Sequence, residues 1–207
     1  MRALIVANGA PVSIYFLRRL CESADLIILT DGAANQWDPA IAVPNAVLGD
    51  FDSITNEALS QVPTLTRIDA FNQESSDLEK AVQHAIDKGA ASVTISQWEG
   101  DRQDHQLGAV SLLLKFRSRA DIQLATPESY MYAFSGSGKI AGKVGDRLSL
   151  ISLGHSPVIT LAGVKYPLNC EMITPGTRGL SNELTAESAP IEVTDGVVIV
   201  CHFTGQP

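Results

Sequence analysis

The stretch Val47-Leu48-Gly49-Asp50-Phe51-Asp52-Ser53-Ile54 ends an apolar run in two carboxylates set one residue apart by a turn of small residues. Carboxylates with no histidine or cysteine beside them suit a hard cation such as Mg²⁺ better than zinc. Acidic residues recur at three similar junctions, Asp31-Gly32, Gln73 to Asp77, and Asp101 to Asp104. One ion could gather several of them, which points to magnesium-assisted phosphate chemistry. In Gly100-Asp101-Arg102-Gln103-Asp104-His105 a guanidinium stands among carboxylates. Its planar fork can grip two phosphate oxygens and offset charge that develops during transfer. Each residue also has an ordinary reading. Aspartate favours turns and helix starts, Arg102 and Asp104 can pair as ions, and His105 can cap a helix.

These residues need a scaffold that brings them to one place. Up to about Tyr132, short apolar runs alternate with longer amphipathic ones. Leu4 to Ala7, Leu26 to Thr30, Ala46 to Leu48, Leu65 to Ile68, Val93 to Ser96 and Ile122 to Ala125 read as strands, and Ser76 to Lys88 and His105 to Arg119 as helices. Alternation of this kind predicts a doubly wound, mostly parallel α/β sheet, and ligands of such sheets bind beyond the carboxyl ends of the strands. Asp31, Asp50, Asp52, Asp101 and Asp104 all follow predicted strands, while Asp77 opens a helix.

Near Phe134 the pattern changes. Arg147 to Leu153, Val158 to Leu161, Lys165 to Leu168, Ile191 to Val193 and Val197 to Phe203 read as short strands between Gly, Pro and Asn turns, as in a small all-β sandwich. The expected domains are residues 1–134 and 135–207, with Ser135-Gly136-Ser137-Gly138 as a linker. Gly136-Ser137-Gly138-Lys139 imitates a phosphate-binding loop, but Ala133 and Ile140 break that motif and no helix follows.

The chain has 207 residues, 45% of them hydrophobic, and a net charge of -8 that opposes nonspecific attraction to nucleic acid or an anionic membrane and favours a small cationic substrate. Cys21, Cys170 and Cys201 lack the spacing of a zinc site or a disulfide framework and read as reduced packing residues. With no membrane-length apolar run and no signal-peptide pattern, the expected compartment is the cytoplasm.

Six pieces taken together resemble the thiamine pyrophosphokinase family. They are Asp31-Gly32-Ala33-Ala34-Asn35, Gly49-Asp50-Phe51-Asp52-Ser53, Gln73 to Ala81, Arg102-Gln103-Asp104-His105, Gly163 to Leu168, and Gly179-Leu180-Ser181-Asn182-Glu183. The resemblance implies transfer of a diphosphate from ATP to the hydroxyethyl group of thiamine, releasing AMP. It implies a magnesium requirement, a homodimer with interfacial sites, an α/β domain for ATP and Mg²⁺, and a β-sandwich domain for thiamine. By position it implies a metal set of Asp31, Asp50, Asp52 and Asp77, and nucleotide contacts from Asp31, Gly32, Asn35, Arg102, Asp104 and His105. Catalytic roles fall to Asp77, Arg102 and Asp104, and thiamine contacts to Gln73, Ser76, Asp77, Ser181 and Asn182.

The chain departs from the family pattern in three places. Ala33 replaces a usual glycine, Ser96-Gln97-Trp98-Glu99-Gly100-Asp101 replaces a glycine-rich turn, and Val197 to Val200 are aliphatic where animal members place a tryptophan against thiamine. Tyr166 and Trp98 are the substitutes the sequence offers. Two other readings remain at this point: a metal-dependent phosphatase with Asp50 as nucleophile, and a non-catalytic sensor of thiamine or nucleotide.

Overall fold

The computed structural model describes residues 1–61, 67–69 and 74–204, which divide into two compact units, Met1–Pro127 and Glu128–Pro207. The first unit is a parallel sheet. Its strands are β1 (Arg2–Val6), β2 (Leu26–Thr30), β3 (Ala46–Gly49), β4 (Arg67–Asp69), β5 (Ser92–Ser96) and β6 (Asp121–Ala125), in the spatial order β6-β5-β1-β2-β3-β4. Every pairing among them is parallel. Chain order runs outward from β1 to β4, then returns to β1's other side at β5, so the direction of winding reverses between β1 and β5.

Helices cover both faces, which is why the strands read as near-continuous apolar runs. Leu4, Val6, Leu29 and Val47 pack in one cluster with Leu17 of α1 (Ile14–Ser23). The helices α3 (Asp77–Asp87) and α4 (Gln103–Lys115) pack against each other and are tied by Lys115 to Glu79 at 2.5 Å, and Arg119, four residues past the end of α4, meets Asp87 at 3.3 Å. The expected helix from Ser76 to Lys88 forms almost as read. Ser76 Oγ accepts from the Glu79 amide at 3.3 Å, Ala81, Val82 and Ala85 are buried, and Gly89 at φ 91° terminates it. Two smaller helical pieces are a 3-10 turn at Gly32–Gln36 and α2 (Asn56–Gln61).

The second unit is antiparallel: β7 (Ser129–Ala141), β8 (Arg147–Ile151), β9 (Val158–Leu161), β10 (Leu168–Met172), β11 (Asn182–Glu183) and β12 (Ser188–Phe203). The two strands expected at Ile191 to Val193 and Val197 to Phe203 are one long strand. β12 pairs with β7 along its length, with β9 through Ile191 to Thr194, and with β8 through Ile199 to Phe203. Its register shifts between Val193 and Val198, where Asp195 takes φ 56°, so the strand changes partners there. Leu148 and Leu150 of β8 thereby share a core with Ile159 and Leu161 of β9, as the sandwich requires. His202 Nε2 lies 3.0 Å from Asp146 Oδ2 in the interior.

Two expectations change here. Ser135 to Gly138 lies within β7, with Gly136 opposite Val193 and Gly138 opposite Ile191, and the units meet earlier than residue 134, at Pro127 and Glu128. The small side chains hide the strand from pattern reading because the pairing comes from β12. Lys165 to Pro167 is not part of a strand, which begins only at Leu168: Val164 makes one bridge to Leu184, the Tyr166 amide donates to the Asn182 side chain, and Pro167 has no amide to offer.

Candidate active site

A cleft of about 480 Å³ opens in the first unit at the carboxyl ends of β1, β2 and β5. This is the crevice where the winding reverses, the position at which doubly wound sheets hold ligands. Ala7, Asn8 and Gly9 line it from β1, Thr30 and Asp31 from β2, and Gln97 to Arg102 from β5. Ser53, Ser76, Asp77, Leu78, Asp104, His105, Gly108 and Ala109 complete the wall.

Three of the four expected metal residues converge. Asp31, Asp50 and Asp77 each present a carboxylate oxygen within 4.8 Å of the others. Asp31 is 3% exposed; Oδ1 accepts from the Gly32 amide at 2.6 Å, while Oδ2 is buried and has no hydrogen-bond partner among the described residues. Burial, and then the charges of Asp77 and Asp50, push its pKa up, against the pull of the Gly32 amide and, more weakly, of the Ser53 amide. Lys80 Nζ, 3.0 Å from Asp77 Oδ1, supplies one positive charge next to the trio. An all-oxygen set with an orphaned buried acceptor fits Mg²⁺. Asp52 does not join the trio. It is exposed, its Oδ1 accepts from the Ser53 hydroxyl at 2.9 Å, and its amide donates to Asp50 Oδ1 at 3.3 Å. Phe51, between the two aspartates, takes φ 63° and packs on the apolar cluster under β1 to β3, so the turn presents only Asp50 inward.

Gly49 serves a different purpose from the one its place before a turn suggests. It belongs to β3, and a Cβ there would stand 2.5 Å from Asp31 Cγ, so the missing side chain makes room for the carboxylate. Gly32 is buried and is not among the cleft's lining residues; a Cβ there would meet Asn8 Cγ at 2.5 Å. Ala33 faces the apolar cluster, which explains why alanine is tolerated where a glycine was expected.

Asn35 is not among the cleft's lining residues. Its Nδ2 donates to the Ser53 carbonyl and its Oδ1 accepts from the Thr55 amide, both at 2.7 Å, so it clamps the far end of the Asp50 loop. Asn35→Ala is expected to lower unfolding free energy by about 0.5–1.5 kcal/mol and to accelerate hydrogen exchange of the Thr55 amide. Unchanged exchange at Thr55 would show that this clamp contributes nothing.

Arg102 and Asp104 line the cleft but face each other as a fork, Nε to Oδ1 at 2.9 Å and Nη2 to Oδ2 at 2.6 Å, both exposed. The hydrogen-bonded guanidinium holds the Asp104 carboxyl far below the usual carboxylate range. Ser76 spends its hydroxyl on capping α3, and His105 is exposed on the first turn of α4. Gln73 lies outside the described residues.

In the second unit a smaller pocket of about 100 Å³ is lined by Leu150, Tyr166, Leu168, Arg178, Gly179, Leu180 and Asn182. Asn182 Oδ1 accepts from the Tyr166 and Glu183 amides at 3.0 and 2.9 Å, and its Nδ2 donates to the Tyr166 carbonyl at 2.8 Å. It therefore fixes Tyr166, whose ring is half exposed. Ser181 takes φ 59° and its amide donates to Ser149 Oγ at 3.1 Å.

The sequence reading did not single out Asn8, Gly9 or Lys80. The strand-end rule that marked Asp31 applies equally to Asn8-Gly9 after β1, and Lys80 lies three residues beyond Asp77 on one helix face. Those signals were there, but neither residue type announces metal or phosphate chemistry by itself.

A family model described as thiamin pyrophosphokinase, catalytic domain, matches residues 17–125, and one described as its vitamin B1 binding domain matches residues 139–198. A thiamine pyrophosphokinase of Bacillus subtilis (strain 168) is 30% identical over 210 residues, covering 97% of each chain. A crystal structure of thiamine pyrophosphokinase from Bacillus subtilis superposes with a TM-score of 0.86 at 27% identity over 100% of both chains. One from Geobacillus thermodenitrificans gives 0.84 at 24% identity over 100% of this chain and 99% of its own, a likeness of fold.

Proposed function

The chain belongs to the thiamin pyrophosphokinase family, matched in both domains, and from that premise we propose how its residues transfer diphosphate from ATP to thiamine. The enzyme joins the hydroxyethyl oxygen of thiamine to the β-phosphorus of ATP, breaks the bond between the α- and β-phosphates, and releases AMP and a proton. The observation that carries the residue assignment is the trio Asp31, Asp50 and Asp77 at the strand ends, with one buried carboxylate oxygen unpaired.

These three aspartates would hold Mg²⁺, which when bound neutralises triphosphate charge and favours in-line displacement. Asp77, at the first turn of α3, in this reading orients the thiamine hydroxyl and accepts its proton. Arg102 exchanges part of its fork from Asp104 to phosphate oxygens, and Asp104 keeps the guanidinium aimed into the cleft. Positioning and charge compensation dominate, because a loose phosphoryl-transfer transition state asks little of a base. In the second unit, the pocket beside Tyr166 and Asn182 takes the thiamine rings, with Tyr166 as the aromatic face. The cationic thiazolium suits a chain of net charge -8.

The active form in this reading is a homodimer working in the cytoplasm, where ATP is available and three free cysteines stay reduced. No helix among the described residues is long and apolar enough to cross a membrane. Purified protein incubated with ATP, Mg²⁺ and thiamine is expected to yield AMP and thiamine diphosphate in a one-to-one ratio. Inorganic phosphate in place of AMP would overturn the reaction, and sedimentation at the mass of a single chain would overturn the dimer.

A further inference from the structure

We propose that Trp98 binds the adenosine portion of ATP, donating its indole N–H to the nucleotide; this rests on the ATP-dependent reading of the cleft. Ser96-Gln97-Trp98-Glu99 leaves β5 where the winding reverses. The loop is pinned on both sides of the tryptophan. Gly9 donates to the Gln97 carbonyl at 2.8 Å, Ala10 donates to the Glu99 carbonyl at 2.5 Å, and Gln97 is held at φ 55° with its side chain buried. A non-glycine residue kept in that region is strain that a site tolerates when it must aim the next side chain.

Trp98 lines the cleft, and its Nε1 is shielded from solvent with no hydrogen-bond partner among the described residues. The other tryptophan is satisfied: Trp37 Nε1 donates to the Ala42 carbonyl at 3.0 Å. Buried indole N–H groups normally have an acceptor, so the acceptor of Trp98 is expected to arrive in the cleft. Its neighbours on that wall divide the nucleotide between them. Arg102 and His105 offer donors of the kind that phosphate needs, whereas Gly108, with open space where a Cβ would stand, and Ala109 leave room for a flat, uncharged ring system. A single neutral donor on an apolar ring matches a purine or ribose acceptor better than a phosphate oxygen.

The test is Trp98→Phe, which keeps an aromatic ring and removes the donor together with the five-membered ring that carries it. Calorimetry on the full chain should show AMP and MgATP dissociation constants raised about five- to twentyfold, with inorganic pyrophosphate binding unchanged. In a Trp37→Phe background, saturating AMP should shift or quench the emission of the remaining Trp98, a readout that requires no folding of the Trp98 variant. Unchanged AMP affinity, no emission response, absence of AMP binding to the parent protein, or a change confined to the KM for thiamine would each overturn the proposal. Nucleotide binding is read here without turnover, so failure of the diphosphate transfer itself would register separately in the product assay.

Discussion

Asp31→Asn is expected to lower kcat/KM by roughly 10²–10³-fold while raising the melting temperature of the metal-free protein. The two effects have one cause. Asp31 is a buried carboxylate with an unpaired oxygen near Asp50 and Asp77, and both burial and these neighbours disfavour its charge. Its pKa in the folded protein therefore lies above the ordinary aspartate value of about 3.9. The folded state binds more protons than the unfolded state across that interval, so stability falls as pH rises from the ordinary value through the raised one. Above the raised value the whole penalty is present, and asparagine removes it. The melting advantage of the variant in EDTA should thus be small at pH 3.5 and full at pH 7.5. Added Mg²⁺ should stabilise the parent and leave the variant unmoved, since the proposed ligand set is complete only in the parent. An equally active variant would remove Asp31 from the metal site; one less stable in EDTA at neutral pH would contradict the account of its burial. A site that stores instability in return for charge density is a common trade between stability and activity.

Gly49→Ala adds one carbon and is expected to reduce turnover by about 10²-fold, with a stability cost of about 1–3 kcal/mol. The new Cβ would lie 2.5 Å from Asp31 Cγ and 2.8 Å from its Oδ2, closer than atoms approach without moving. Backbone on both sides resists: Gly49 is paired in β3, and the Asp31 amide donates to the Leu48 carbonyl at 2.9 Å. The carboxylate must therefore swing, and the Mg²⁺ concentration for half-maximal rate should rise along with the loss in kcat. A rate loss that excess Mg²⁺ leaves unrelieved, with unchanged metal affinity, would mean that the substitution acts elsewhere than through Asp31. Asp52→Asn makes the control, because Asp52 lies outside the trio and is exposed.

Much of the first unit could be read in the chain. β2 runs from Leu26 to Thr30 as expected, and α3 follows the reading closely, because Ser76, Glu79 and Gly89 mark its ends through local hydrogen bonds and backbone geometry. The helix expected to reach Arg119 stops at Lys115, with Phe116 buried rather than continuing the turn. Legibility dropped in the second unit. β7 contains Ser135-Gly136-Ser137-Gly138, which has the composition of a linker and is a strand only because β12 runs opposite it.

The site divides in the same way. Aspartates after strand ends are a local signal, since strand direction in a parallel sheet decides where each loop emerges; Asp31 and Asp50 were accessible to that reasoning, and Asp77 was accessible as the residue that opens α3. The exclusion of Asp52, the space that Gly49 leaves for Asp31, the clamp made by Asn35 and the unpaired indole of Trp98 were not. Those depend on distances between segments remote in sequence, down to tenths of an ångström, and on which groups lose water when the loops close over one another. By itself the sequence determined the alternation of strands and helices, the acidic residue types and their order, because propensity and patterning act over a few residues. Only the tertiary structure decided which carboxylates face one another and which polar atoms are left without partners, because burial and electrostatics depend on neighbours that the chain brings together from a distance.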